Sequence, residues 1–128
     1  TTKHRILSIM ITPEDEVDIH RVFHILEYDI HKNAVDHGFW DTARNDGEMI
    51  ALMHSELSEA LEAIRATGKS VEIGGNGEFV LMDKNCPKFS AVSIELADCI
   101  IRILDFCKAK NIKIPLILSL FFILIAGT

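Results

Sequence analysis

Residues 47–62 read GEMIALMHSELSEALE and residues 94–105 read IELADCIIRILD, and both stretches repeat apolar side chains at helical spacing. On a helical wheel of the first stretch, Glu56 falls inside the apolar arc and Glu59 lies one turn on at its edge. In the second stretch, Glu95 and Asp98 share a narrow polar stripe. A carboxylate among apolar neighbours needs protonation, a cationic partner or a metal. These two helices therefore carry the candidate site as well as the fold.

Capping and stop signals delimit a helix before this pair and mark the start of the first helix of the pair, so in chain order they define helices one and two. Thr12 and Pro13 supply an N-cap and an N-terminal proline for the first helix, and Gly38 supplies its stop. Asn45, with Glu48 three residues later, forms a capping-box pattern for the second. The chain is therefore predicted to be a single all-α domain over residues 1–128, of four-helix bundle type, with helices over about 13–37, 45–66, 90–110 and 114–126.

A long loop over residues 67–89 separates the second and third predicted helices. It contains the run Gly74-Gly75-Asn76-Gly77 between apolar residues, a pattern typical of a small hairpin. A loop of this length in a helical bundle is either a lid or binding loop or a disordered excursion. The sequence leaves both interpretations open.

Charge and composition narrow the class of partner. The formal net charge is −6 and lysines and arginines do not cluster, so neither nucleic acid nor an anionic membrane surface is an expected partner. The three cysteines lack C-x-x-C spacing, which favours a reducing, cytoplasmic setting. The apolar run 114–126 would span roughly 20 Å as a helix, short of the ~30 Å hydrocarbon core. We expect no stable membrane insertion and interpret this run as a buried helix or subunit interface.

The acidic pairs form an E-x-x-E motif on one helix and an E-x-x-D motif on the other, and antiparallel packing would bring four carboxylates around one or two hard cations. Mg²⁺ suits such oxygen ligands and shares its shell with phosphate oxygens and water. The alternative is a solvated face in which Asp98 pairs with Arg102. A di-iron bundle site is disfavoured because no glutamate in the chain has a histidine three residues after it.

Three segments together resemble the MazG-like family of the all-α nucleoside triphosphate pyrophosphohydrolases: Gly38-Phe39-Trp40-Asp41, residues 47–62 and residues 94–105. The resemblance covers roughly residues 15–112. It implies hydrolysis of a (deoxy)nucleoside triphosphate to the monophosphate and pyrophosphate, as in the control of nucleotide pools. It also implies that Glu56, Glu59, Glu95 and Asp98 hold Mg²⁺, with Mn²⁺ as a substitute, and that Glu59 or Glu56 activates the attacking water.

The resemblance also assigns substrate-binding residues. Trp40 would stack on the base, with His31 and His37 as weaker neighbours, unless it is a core anchor. Arg44 and Arg102 would bind the phosphates. Alternatively, Arg44 is an ordinary surface residue and Arg102 neutralises the acidic stripe.

One stretch departs from the family pattern. Related enzymes follow the third helix with a polar segment bearing lysine and asparagine, whereas no cation follows Lys113 here. We expect the apolar tail to pack in a homodimer or homotetramer. Two other functions stay open: a non-catalytic nucleotide or metal sensor, and a helical interaction protein anchored by its tail.

Overall fold

The computed structural model describes residues 11–67 and 81–118, and these residues are mostly helical. Helix α1 spans Pro13–Asp36, α2 spans Asp46–Thr67 and α3 spans Ala91–Lys110. A fourth helix, α4, begins at residue 114 and is described as far as residue 118. The all-α prediction is confirmed. The rest of the predicted helix 114–126 and the glycine-rich part of the loop lie outside the described residues.

Helix α1 begins with a complete capping box. The Thr12 hydroxyl accepts from the Asp15 backbone N–H at 3.1 Å, and the Asp15 carboxylate accepts from the Thr12 N–H at 2.9 Å. Helix α2 has only half of the expected box. The Asn45 side chain accepts from the Glu48 N–H at 2.7 Å, but the Glu48 carboxylate pairs with the Arg44 guanidinium at 2.9 Å. A guanidinium offers the carboxylate a full positive charge as well as a hydrogen bond, whereas a backbone N–H is a neutral donor.

Ser90 is the N-cap of helix α3, and its hydroxyl accepts from the Ser93 N–H at 3.1 Å. The helix ends at Asn111, which adopts the left-handed conformation with φ 57° and ψ 39°. The Ile112 N–H then donates to the Cys107 carbonyl at 2.8 Å, so the last turn is closed. Asparagine tolerates this conformation better than most residues, and the turn directs the chain into α4.

Helix α3 is central among the described helices because it packs against both α2 and α1. The contact with α2 is built on small residues, with Ala60, Ala63 and Val92 buried together and Ile64 and Ala91 packed around them. Small side chains let the two helix axes approach closely, and this approach brings the acidic motifs of α2 and α3 face to face.

Large apolar side chains stay exposed on all three long helices. They include Val22, Ile25 and Leu26 on α1, Ile50, Leu57 and Leu61 on α2, and Leu96, Ile100 and Ile101 on α3. In residues 11–67 and 81–118, no helix is both long enough and apolar enough to cross a bilayer.

The end of the loop before α3 is fixed to the start of that helix. The Ala91 N–H donates to the Leu81 carbonyl at 2.8 Å, and the Asp83 N–H donates to the Phe89 carbonyl at 3.0 Å. The Asp83 carboxylate closes a turn by accepting from the Asn85 and Cys86 N–H groups at 2.8 and 2.7 Å. Residues 81–90 therefore form a compact turn next to the first turns of α3.

Candidate metal centre

Three carboxylates from two helices meet at the centre of the α2–α3 interface. One oxygen from each of Glu56, Glu95 and Asp98 lies within 4.8 Å of the other two. Glu56 projects from α2, and Glu95 and Asp98 lie one turn apart on α3. The cluster is an all-oxygen set of the kind that a hard divalent cation prefers. Within residues 11–67 and 81–118 it is the one group of three acidic, histidine or cysteine side chains this close together.

Glu56 is the most enclosed of the three, with 6% of its surface exposed. Arg102, one turn beyond Asp98 on α3, donates from Nε to the Glu56 carboxylate at 2.5 Å. Burial alone would raise the pKa of Glu56, but the hydrogen bonds from Arg102 and Glu95 more than offset it, and the pKa lies below its usual value. Glu56 is therefore ionised, and Arg102 neutralises part of its charge.

The pKa of Glu95 is shifted in the opposite direction from that of Glu56. Burial, the hydrogen bond to Glu56 and the charges of Glu59, Glu56 and Asp98 raise its pKa to about 7. Asp98 also has a raised pKa, because burial and the Glu56 charge outweigh the effect of Arg102. The cluster thus holds more negative charge than its surroundings neutralise, and this excess favours uptake of a proton or a cation.

Two further carboxylates lie close to this cluster. Glu59 is exposed and is not one of the three converging ligands, but its charge contributes to the raised pKa of Glu95. Asp83, in the turn before α3, raises the pKa of Asp98 in the same way. Sequence periodicity gave no signal for Asp83 because it belongs to a loop, where no helical spacing relates it to the acids on α2 and α3.

A cavity of about 290 Å³ opens beside the acidic cluster. Glu56, Asp98 and Arg102 form its polar wall, and Phe39 and Asn33 line it from the α1 side. This combination offers an aromatic side chain, an amide that can both donate and accept, and a guanidinium next to the carboxylates. Phe39 and Asn33 were missed as site residues, since nothing in their spacing separates them from an ordinary turn and the surface of a helix.

Trp40 and His31 converge on Asp105, a buried carboxylate that also lines this cavity. The Trp40 indole N–H donates to both oxygens of Asp105, at 3.0 and 3.1 Å, and His31 Nδ1 lies 2.7 Å from Asp105 Oδ1. The Trp40 ring packs edge-on against His31 and against Phe39. Trp40 is thus tied to α3 by its polar edge, while Phe39 faces the cavity. The stacking of Trp40 on a base stays a prediction.

The remaining predicted substrate residues lie in or near the turn after α1. The Arg44 guanidinium stacks over the Phe39 ring at 3.9 Å and donates from Nε to the Phe39 carbonyl at 2.8 Å. It therefore fixes the aromatic wall of the cavity. His37 is exposed, and its Nδ1 lies 2.8 Å from the Asn33 carbonyl, at the end of α1.

Comparison with known proteins gives no relative for this arrangement. No family model, no curated protein and no solved structure matches the chain.

Proposed function

We propose that the protein hydrolyses a (deoxy)nucleoside triphosphate to the monophosphate and pyrophosphate in the presence of Mg²⁺. The observation that carries the proposal is the convergence of Glu56, Glu95 and Asp98 within 4.8 Å, beside a cavity that Phe39 and Arg102 help to line. A triphosphate needs a cation between itself and an acidic protein surface, and this site offers the ligands for one.

The donor set fits Mg²⁺ or Mn²⁺, because all its ligands are carboxylate oxygens and their mutual repulsion, which raises the pKa of Glu95 to about 7, favours a cation between them. Glu56, Glu95 and Asp98 would hold the ion, with Glu59 as an exposed neighbour able to join them. Bound there, Mg²⁺ would bind phosphate oxygens and stabilise the charge that develops during phosphoryl transfer.

Among the glutamates, Glu59 is the better candidate for the base. Glu56 is bonded to Arg102 and has a lowered pKa, so it is a weak proton acceptor. Glu59 is exposed, one turn along the same helix. In the proposed step, a water oxygen attacks phosphorus and its proton passes to Glu59. The bond to the oxygen that bridges the α- and β-phosphates breaks, and pyrophosphate and the monophosphate separate.

The nucleoside end of the substrate would occupy the cavity of about 290 Å³. Phe39 offers a stacking surface there, and Asn33 offers hydrogen bonds to a base edge. Arg44 and Trp40 hold Phe39 in place, since both pack against its ring. In this arrangement Asp105 lines the pocket, and Trp40 and His31 hold its carboxylate in place.

We also propose a homodimer or homotetramer of four-helix bundles, because the three long helices leave apolar side chains exposed. The proposed setting is the cytoplasm, because Cys86, Cys99 and Cys107 form no disulfide. A non-catalytic sensor is the main alternative function, because the same acidic cluster would bind metal and nucleotide without turnover.

The deciding experiment is release of pyrophosphate from a panel of canonical and modified dNTPs, with Mg²⁺ and with EDTA. We expect Mg²⁺-dependent release with a monophosphate product, and a loss of at least about a hundredfold in Asp98→Asn. Glu62→Gln, at an exposed position on α2 outside the three-carboxylate cluster, is the matched control and should keep its rate. Binding of a non-hydrolysable dNTP with no release by the folded wild type would favour the sensor.

A further inference from the structure

A second and larger cavity, of about 560 Å³, lies between the N-terminal half of α1 and the end of α3. Its floor includes the buried side chains of Glu27 and Cys107, and its outer wall includes Leu116 of α4. Cys107 lies nine residues beyond Asp98 on α3, which places the cavity on the order of 13 Å along the helix from the acidic cluster. A volume in this range is typical of a small-molecule site.

Glu27 makes this cavity more than a packing defect. It is the buried residue of α1, with 8% of its surface exposed, and its Oε1 has no hydrogen-bond partner among the described residues. Burial and then the charge of Glu27 raise the pKa of the neighbouring Cys107 thiol. The thiol therefore stays neutral. A buried carboxylate oxygen without a partner is costly, so the cavity calls for a ligand that brings an N–H donor to it.

The rim of this cavity carries positive charge, opposite to that of the Glu27 carboxylate. Arg21, Lys108 and Lys113 line the cavity, together with His20 and His24. These cations stand out in a chain of net charge −6. Arg21 precedes Glu27 by six residues of helix, or about 9 Å along its axis. A fitting ligand therefore has a donor edge at one end, an apolar or aromatic body and an anionic group at the other end.

We propose that this cavity is a binding site for a guanine nucleotide, with the base edge on Glu27 and the phosphate at Arg21, Lys108 and Lys113. Guanine presents two adjacent donors, N1–H and the exocyclic amine, which suit the two oxygens of one carboxylate. Base and sugar separate those donors from the phosphate. An α-amino acid with an apolar side chain carries its only N–H donors and its carboxylate on one carbon, so it cannot reach both the floor and the rim.

A metal ion fits the same side chains less well. His20, His24 and Glu27 follow one face of α1 at spacings of four and three, and Cys107 faces them from α3. However, these groups do not converge within coordination distance, and the cavity is far larger than an ion requires. The site does not depend on the proposed hydrolysis, because it shares no residue with the acidic cluster.

The test is calorimetric titration of the full chain with GMP, AMP, guanosine and inorganic phosphate, all in EDTA so that no cation bridges phosphate to the acidic cluster. GMP should bind, and AMP should bind roughly tenfold or more weakly, since its base edge has one donor and turns an acceptor toward Glu27. Glu27→Gln keeps the shape of the side chain and should weaken the binding of GMP by a similar factor.

Two further variants locate the site. Lys113→Gln, at an exposed position, should weaken the binding of GMP and leave the binding of guanosine unchanged. This variant tests the cationic rim even if Glu27→Gln misfolds. Glu95→Gln should leave GMP binding unchanged. Equal affinity for GMP and AMP, loss of GMP binding in Glu95→Gln, or phosphate as the only ligand would overturn the proposal. So would tight Zn²⁺ binding that Cys107→Ser and Glu27→Gln abolish, which would assign the site to a metal.

Discussion

The Glu95 side chain links the acidic cluster to pH. Burial and three neighbouring carboxylates raise its pKa to about 7, whereas Glu56 is held ionised by Arg102. A cation can use all three carboxylates only after the Glu95 proton leaves. Metal binding and proton release are therefore coupled at this residue.

From this coupling we expect Mg²⁺ affinity to fall as the pH drops below about 7 and to level off above pH 8. Titrations at pH 6.5 in two buffers of different ionisation enthalpy should show that protons leave as the metal binds. Glu95→Gln should bind Mg²⁺ more weakly and release no proton, whereas Glu62→Gln should behave as the wild type. A wild-type affinity that is constant between pH 6 and pH 8 would contradict the assignment of Glu95 as a ligand.

Asp105 is a buried carboxylate whose hydrogen bonds are expected to stabilise the fold. It is 5% exposed and accepts hydrogen bonds from Trp40 and His31. Asp105→Asn keeps the shape but replaces an acceptor oxygen with an N–H₂ group. We expect it to lower the free energy of unfolding by roughly 1–3 kcal/mol.

Trp40 is the one tryptophan in the chain, so its fluorescence reports on this network directly. Urea unfolding followed at Trp40 emission should show the loss in Asp105→Asn together with a shifted native spectrum. Asp29→Asn, at an exposed position on α1, is the control and should change neither. A native spectrum that is identical in Asp105→Asn and wild type would mean that the indole does not depend on Asp105.

The residues of the candidate site were predictable to different degrees. Glu56, Glu95 and Asp98 could be picked out because helical periodicity places them against apolar arcs. The partner of Arg102 could not be chosen this way: spacing within α3 favoured Asp98, whereas Arg102 bonds to Glu56 across the helix interface. Asp83 could not be predicted as a neighbour of the cluster, because its position depends on a loop turn.

At the scale of elements, Gly38 sets the turn that carries Phe39 and Trp40 to the site. Its φ is +82°, and a Cβ there would lie 3.0 Å from the Asp41 carboxylate. We expect Gly38→Ala to cost roughly 1 kcal/mol or more in unfolding free energy and to disturb Trp40 emission. Gly47→Ala, in the first turn of α2 and without a positive φ, should cost less. Similar losses in both variants, measured by urea unfolding, would contradict a special role for the turn.

The bounds of the three long helices followed closely from local chemistry, since Thr12, Asn45 and Ser90 cap helix N-termini, Pro13 suits a first helical position and Gly38 is a stop signal. What local signals could not supply was how the helices pair. The approach of α2 to α3 depends on Ala60, Ala63 and Val92, small residues that look unremarkable in sequence but allow the acidic motifs to meet. Local signals also did not show that the Glu48 carboxylate would pair with the Arg44 guanidinium and so leave the capping box of α2 half formed.

For the whole molecule, the apolar surface is the feature that a single copy leaves unexplained. Leu57 and Leu61 lie one turn apart on α2 and are 47% and 46% exposed, and Leu96 and Ile100 are 45% and 57% exposed on α3. Burying such side chains gains about 25 cal/mol per Å² of apolar area. The proposed oligomer would cover these faces.

We therefore expect Leu61→Glu and Ile100→Glu each to shift the protein from oligomer to monomer, because a charge in an apolar interface is desolvated without a partner. Light scattering after gel filtration measures the mass, and circular dichroism checks that the helices persist. Val17→Glu, at a position 68% exposed at the start of α1, is the control and should keep the wild-type mass. A wild-type chain that is monomeric at 14.4 kDa would contradict the proposed assembly while leaving the acidic cluster, which lies within one chain, as the candidate metal centre.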